Sequence, residues 1–285
     1  MHGRILYYLL TGNLDRRYRR RLLYGLFVLT LLLPPFLSDS LGETIRSRAA
    51  VVVDASTGQI LYTKNSNRLL PPASTAKLMT AIVALENESL TSVVTVSKNA
   101  TRVQPSKAGF KEGDKVTVEG LLYAALLESA NDAAVAIAEA VAGSEGHFVH
   151  LMNQKTLSIG ATNTKFINST GLPGPGQHIT ALDLSSIMRY AMRYPKLREI
   201  IGTSEAQVST EEGKAMLLRS TDKLLWSDRR VIGGKTGYTN SAKHCFVCAA
   251  EREKKVIIVS VLGSPSRKTL WKETKRLIAK GFKKI

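Results

Sequence analysis

Ser74 and Lys77 stand three residues apart in Pro71-Pro72-Ala73-Ser74-Thr75-Ala76-Lys77-Leu78-Met79-Thr80, at the head of an apolar run from Ala76 to Leu85. The run predicts a buried helix. Residues i and i+3 of a helix share a face, with Cβ atoms about 5–6 Å apart, so Ser74 Oγ and Lys77 Nζ can meet. A serine hydroxyl is a weak nucleophile until a neighbour takes its proton. Lysine can take it only when neutral, which requires an apolar pocket or a second cation nearby. The spacing alone is weak evidence, because Ser220-Thr221-Asp222-Lys223 repeats it. For an isolated Ser-x-x-Lys the ordinary reading is a helix cap beside a solvated lysine.

Two further stretches change that balance. Ser129-Ala130-Asn131 follows the apolar run Leu121 to Leu127, and Lys235-Thr236-Gly237 follows Val231-Ile232-Gly233-Gly234. Ser-x-Asn recurs at Ser97-Lys98-Asn99, which reads as a turn, whereas Lys-Thr-Gly occurs once. Three such elements in this order are shared by penicillin-binding proteins and class A β-lactamases. With their surroundings, Pro-Ala-Ser-Thr-Ala-Lys, Leu-Leu-Glu-Ser-Ala-Asn-Asp-Ala-Ala and Gly-Gly-Lys-Thr-Gly-Tyr-Thr, the chain resembles the serine D-alanyl-D-alanine carboxypeptidases from about Ala49 to Phe282.

The resemblance implies removal of the terminal D-alanine from peptidoglycan stem pentapeptides through an acyl-enzyme. It implies β-lactams as covalent inhibitors and neither metal nor organic cofactor. Ser74 would be the nucleophile and Lys77 its base. Ser129 and Asn131 would relay protons and hold Lys77 and the substrate. Lys235, expected to stay charged, would receive the substrate carboxylate with Thr236. Gly237 would let substrate backbone lie close, and the Tyr238 N–H would join that of Ser74 as the oxyanion hole. A further basic residue at the carboxylate would be Arg267 or Lys268. A class A β-lactamase would carry a glutamate with an asparagine four residues later between the second and third motifs, and no glutamate between Asn131 and Lys235 has that partner. A D,D-endopeptidase would use the same residues. A non-catalytic peptidoglycan-binding protein is the alternative from another class.

Positioning three distant stretches is a task for the fold. Ala49–Asp54 and Gln59–Tyr62 flank Ala55-Ser56-Thr57-Gly58 and read as a β-hairpin. Helical patterns cover Ala76–Leu85, Glu119–Leu127, Asp132–Val141, Gly146–Ile159 and Ala181–Tyr194. Strand patterns return at Val231-Ile232, His244–Ala250 and Val256–Leu262, before a last helix from about Ser266. This order predicts an α+β fold, a three-layer α/β/α arrangement like that of β-lactamases and penicillin-binding proteins. Its antiparallel sheet comes from both chain ends and its mostly helical lobe is inserted between them. The cleft between sheet and lobe is the expected site.

The chain has 285 residues and a formal net charge of +17, concentrated at its ends. Residues 1–21 hold six arginines against one aspartate, and the last twenty hold eight basic side chains against one glutamate. Arg16-Arg17-Tyr18-Arg19-Arg20-Arg21 precedes the uncharged run Leu22–Leu37, the order of a basic n-region and a hydrophobic h-region. Residues 1–44 therefore read as a signal peptide or signal anchor, with membrane attachment possible through it, and 45–285 as the catalytic domain outside the cytoplasmic membrane. That apolar run argues against nucleic acid as the arginines' partner. Cys245 and Cys248, an odd spacing apart on one predicted strand, face opposite sides and do not pair. His147 and His150 share a helix face but lack a third metal ligand, and the role of His178 in its glycine-rich loop stays open. The last helix sets Leu270, Trp271, Leu277, Ile278 and Phe282 against a basic face, which fits packing on the sheet.

Overall fold

The computed structural model describes residues 44–285, so the basic cluster and the apolar run Leu22–Leu37 lie outside the described residues. The first elements are β1 (Ala49–Asp54) and β2 (Ile60–Lys64), followed by a 3-10 turn at Ala73–Ala76 that runs into α1 (Lys77–Asn87). The lobe continues through β3 (Val93–Thr95), α2 (Lys98–Arg102), β4 (Lys115–Thr117), α3 (Val118–Leu127), α4 (Asn131–Ala142), α5 (Glu145–Ser158), α6 (Ala181–Ala191) and α7 (Pro195–Gly202). The chain then forms β5 (Glu205–Ser209), β6 (Ala215–Arg219), β7 (Val231–Thr239), β8 (Lys243–Arg252), β9 (Lys255–Ser264) and α8 (Arg267–Phe282).

Five strands make one antiparallel sheet in the order β2-β1-β9-β8-β7, built from both ends of the described chain as expected. β1 reads Ala-Ala-Val-Val-Val-Asp without alternation because both faces are covered, which removes any demand for polar residues. The period of two instead sorts its side chains between two cores. Val51 and Val53 pack with the lobe, alongside Val247 and Ile258. Ala50 and Val52 pack with Val259, Leu270, Leu277, Ile278 and Phe282 beneath α8. Cys245 and Cys248 divide the same way and both are free, as their odd spacing requires.

The predicted helix Ala181–Tyr194 is two helices. Pro195 occupies the first turn of α7 and pushes Tyr194 into an extended conformation, ending the earlier helix at Ala191. Ser97-Lys98-Asn99 starts helix α2 instead of forming a turn: Ser97 Oγ caps Ala100 N at 3.0 Å, and Ser97 and Asn99 both bond Glu139 on α4. The pairs β3/β4 and β5/β6 are missing from the sequence reading, because three-residue strands are too short to show a period and β5 and β6 bury only Val208 and Leu218.

Candidate active site

Ser74 lies in the 3-10 turn preceding α1, not in the α-helix itself. The difference favours the predicted contact, since a 3-10 turn has three residues per turn and eclipses positions i and i+3. Lys77 Nζ is 3.0 Å from Ser74 Oγ. Buried Ala73, just before the serine, has φ +49°, and Ser129 has φ +64°. L-residues hold such angles only where the surroundings impose them.

Lys77 has no exposed surface. Its other partners are Asn131 Oδ1 at 2.6 Å and the Thr170 carbonyl at 2.8 Å. Both can only accept, and Asn131 Nδ2 is committed to the Gln104 carbonyl at 2.8 Å. A neutral amine has two protons and one lone pair. Its protons satisfy Asn131 and Thr170, so the lone pair is left facing the Ser74 hydroxyl, which is the arrangement of a base. Burial, reinforced by Lys235, lowers the Lys77 pKa well below the usual lysine range, against an opposing pull from Asp132.

Lys235, also fully buried, donates to Ser129 Oγ at 2.9 Å and to the Thr236 carbonyl at 3.0 Å. Ser129 therefore bonds Lys235 and not Lys77, which is held by Asn131. Burial brings Lys235 down to about 7, with Asp222 opposing. Burial thus works against the charge expected on Lys235 and Asp222 works for it.

Above these amines is a cleft of about 410 Å³ lined by Ser74, Ser129, Asn131, Thr236, Gly237 and Tyr238 among others. All eight sequence-predicted residues thus converge, six on the cleft and two lysines bonded to residues of its wall. Gly237 is required by close approach: a Cβ there would lie 2.9 Å from Ser74 N. Gly171 has φ +80° and would place a Cβ 1.9 Å from the Ala73 carbonyl, so the segment delivering the Thr170 carbonyl depends on it. The second Ser-x-x-Lys, at Ser220–Lys223, is no helix start, but Ser220, Thr221 and Lys223 line the cleft. Thr221 Oγ1 lies 2.6 Å from Thr236 Oγ1. Arg267 lines the cleft, which selects it over Lys268 as the basic residue on this wall. Tyr238 is half exposed and packs against His244, with ring centroids 4.6 Å apart. Burial, Arg267 and Lys243 hold His244 below the ordinary histidine pKa. His178 bonds the Gly176 carbonyl at 2.8 Å and is not among the cleft-lining residues.

Sequence reasoning missed Thr170, Asp132, Thr221 and Asp222. Asp132 accepts the backbone N–H groups of Ala108, Gly109 and Phe110 at 3.0–3.3 Å, fastening the loop that brings Pro105 and Ser106 to the cleft. A carboxylate at the start of an alanine-rich helix was a legible signal for it. Thr170 acts through its carbonyl, and no side-chain pattern could have disclosed that.

Fold and site together define a serine peptidase of the penicillin-binding-protein and D,D-transpeptidase type. Residues 37–266 match the D-alanyl-D-alanine carboxypeptidase family, peptidase family S11, and the chain belongs to it. It is 32% identical over 262 residues to D-alanyl-D-alanine carboxypeptidase DacF of Bacillus subtilis, covering 89% of this chain and 67% of that one. DacB2 of Mycobacterium tuberculosis is 35% identical, with 81% of each chain covered. A D-alanyl-D-alanine endopeptidase of Pseudomonas aeruginosa is 30% identical, over 86% of this chain and 80% of its own. The crystal structure of the Streptomyces K15 DD-transpeptidase superposes with a TM-score of 0.79 at 32% identity, over 84% of this chain and 98% of that one.

Proposed function

We propose that this chain is a serine D,D-carboxypeptidase that removes the terminal D-alanine from peptidoglycan stem pentapeptides. Ser74 Oγ attacks the penultimate D-alanyl carbonyl as its proton passes to Lys77. The N–H groups of Ser74 and Tyr238 receive the developing oxyanion. The C–N bond then breaks as the departing D-alanine amine takes the proton that Lys77 received from Ser74, while Ser129, held by Lys235, hydrogen-bonds that amine. Asn131 holds Lys77 and the substrate amide. Water hydrolyses the Ser74 ester by the reverse proton path. Thr236 and Arg267 receive the terminal carboxylate, and a β-lactam acylates the same serine because its amine stays tethered.

The observation carrying this reading is the hydrogen-bond arithmetic at Lys77, whose only lone-pair direction is toward Ser74. The positive charge of Arg267 on the cleft wall favours a substrate ending in a free carboxylate over an internal crosslink. The test is D-alanine release from a synthetic peptide ending in Lys-D-Ala-D-Ala, run beside a crosslinked dimer. Release from the first is expected. Cleavage of the dimer alone would make the enzyme an endopeptidase, and penicillin labelling with neither cleavage would leave a binding protein. We further infer export, from the basic cluster before Leu22–Leu37 and the cell-wall substrate of the family. A reporter active only after export, fused behind residue 60, is expected to be active.

A further inference from the structure

Three buried side-chain polar atoms among the described residues have no hydrogen-bond partner: Asp222 Oδ2, Ser260 Oγ and Trp271 Nε1. Asp222 alone is ionisable. It is 1% exposed, and its Oδ1 accepts the Leu224 N–H at 2.8 Å in a local turn. Asparagine would serve that turn equally well. The buried, unpaired second oxygen is costly, so the turn does not explain a carboxylate here.

Its position does. β7 is the edge strand of the sheet, and the segment carrying Asp222 lies against it. The preceding Thr221 bonds Thr236, the neighbour of Lys235, and its N–H bonds the Leu127 carbonyl just before the Ser129 turn. The following Leu224 packs with Val231 and Phe246. Lys235 meanwhile donates to two neutral oxygens. We propose that Asp222 is a positioning residue, a buried counter-ion that keeps the proton of the catalytic lysine pair on Lys235 and so leaves Lys77 free to act as base. This deepens the reading above and rests on it.

The two lysines titrate as a coupled pair. The productive form has Lys235 protonated and Lys77 neutral. Asp222 acts on Lys235 and weights the pair toward that form, whereas Asp132 acts on Lys77 and weights it the other way. Burial raises Asp222 to about 6, so it is ionised at neutral pH. The other groups around it do not compete. The Cys248 thiol is pushed up by burial, Asp222 and Asp228, and stays protonated, while Lys223 is exposed at the cleft rim.

The test is the pH profile of Ser74 acylation by a fluorescent penicillin, in the wild type and Asp222→Asn, with folding checked by thermal melting. The alkaline limb, set by loss of the Lys235 proton, is expected to move down by about one pH unit, the low end of what an opposite charge confers. The acid limb stays in place, and acylation at pH 8 falls roughly tenfold, the counterpart of one unit. In a Lys235→Arg background the same substitution leaves the alkaline limb unmoved, because guanidinium does not titrate there. Asp222→Ser, which retains an acceptor for Leu224, replaces the asparagine variant if that fails to fold. An unmoved limb in the folded variant, or an equal shift in the Lys235→Arg background, overturns the proposal alone. Lys77→Arg acylating near the wild-type rate overturns the reading of the base, and the proposal with it.

Discussion

The two sides of the sheet solve opposite problems. Beneath α8 the interior is apolar, and its one buried acid on that helix, Glu273, is saturated: its carboxylate accepts from the N–H of Arg46 and from both the N–H and hydroxyl of Ser47. At the edge strand β7 two lysines are fully buried, one carboxylate is left with an unpaired oxygen, and two residues hold left-handed backbone angles. Glu273 holds the fold with its acceptors taken by backbone and serine, whereas the site buries amines and leaves one oxygen of Asp222 without a partner. The sheet between them supplies the rigidity that lets the site remain unfavourable.

The contrast is sharpest at Ser74. Ser74→Ala is expected to abolish the penicillin adduct while leaving thermal stability near wild type, since among the described residues the hydroxyl bonds Lys77 alone. Mass spectrometry of the peptide containing residue 74 checks it, and an adduct that persists or maps to Ser220 breaks the assignment. Next in size is Lys77→Arg. Guanidinium cannot serve as a base, so acylation is expected to fall by roughly a thousandfold, measured by stopped-flow labelling on protein shown to be folded.

On the other side, Glu273→Ala is expected to destabilise the fold by about 3 kcal/mol, because the two buried donors of Ser47 and the part-buried Arg46 N–H lose their acceptor. Denaturant titration gives the loss, and acylation per folded molecule is expected to persist. A large rate defect at full folding would show that the two sides are not separable.

The smallest effect has the opposite sign. Asp222 titrates at about 6 when folded, above its ordinary 3.8. Below 3.8 the acid is protonated in both states and costs nothing. Between 3.8 and 6 only the unfolded chain ionises, so the cost grows with pH, and above 6 it is constant. Asp222→Asn is therefore expected to stabilise the protein above pH 6 by about 2 kcal/mol, less than the full shift because the buried asparagine amide also lacks a partner for its second polar atom. The gain should vanish below pH 3.8. Urea melts at several pH values check the sign, and stabilisation together with slower acylation would be the stability–activity exchange in one residue.

What the sequence determined by itself was whatever local physics dictates. The Ser-x-x-Lys spacing, the uninterrupted apolar strand Ala49–Val53, the serine before α8 and the odd spacing of the two cysteines each specify a conformation or a face through a few neighbouring residues. Sheet from both ends and lobe from the middle follow from the order of those patterns. Element boundaries set by short, exposed strands did not, since a three-residue strand has no period to read. Only the tertiary structure decided what surrounds each lysine. Lys77 and Lys235 are the same residue type. Both are fully buried, and their surroundings differ through the Asn131 and Thr170 oxygens on one and the Ser129 and Thr236 oxygens on the other, three of the four more than fifty residues away in sequence. Protonation depends on the summed field of whatever the fold gathers around an amine, and no stretch of sequence contains that sum.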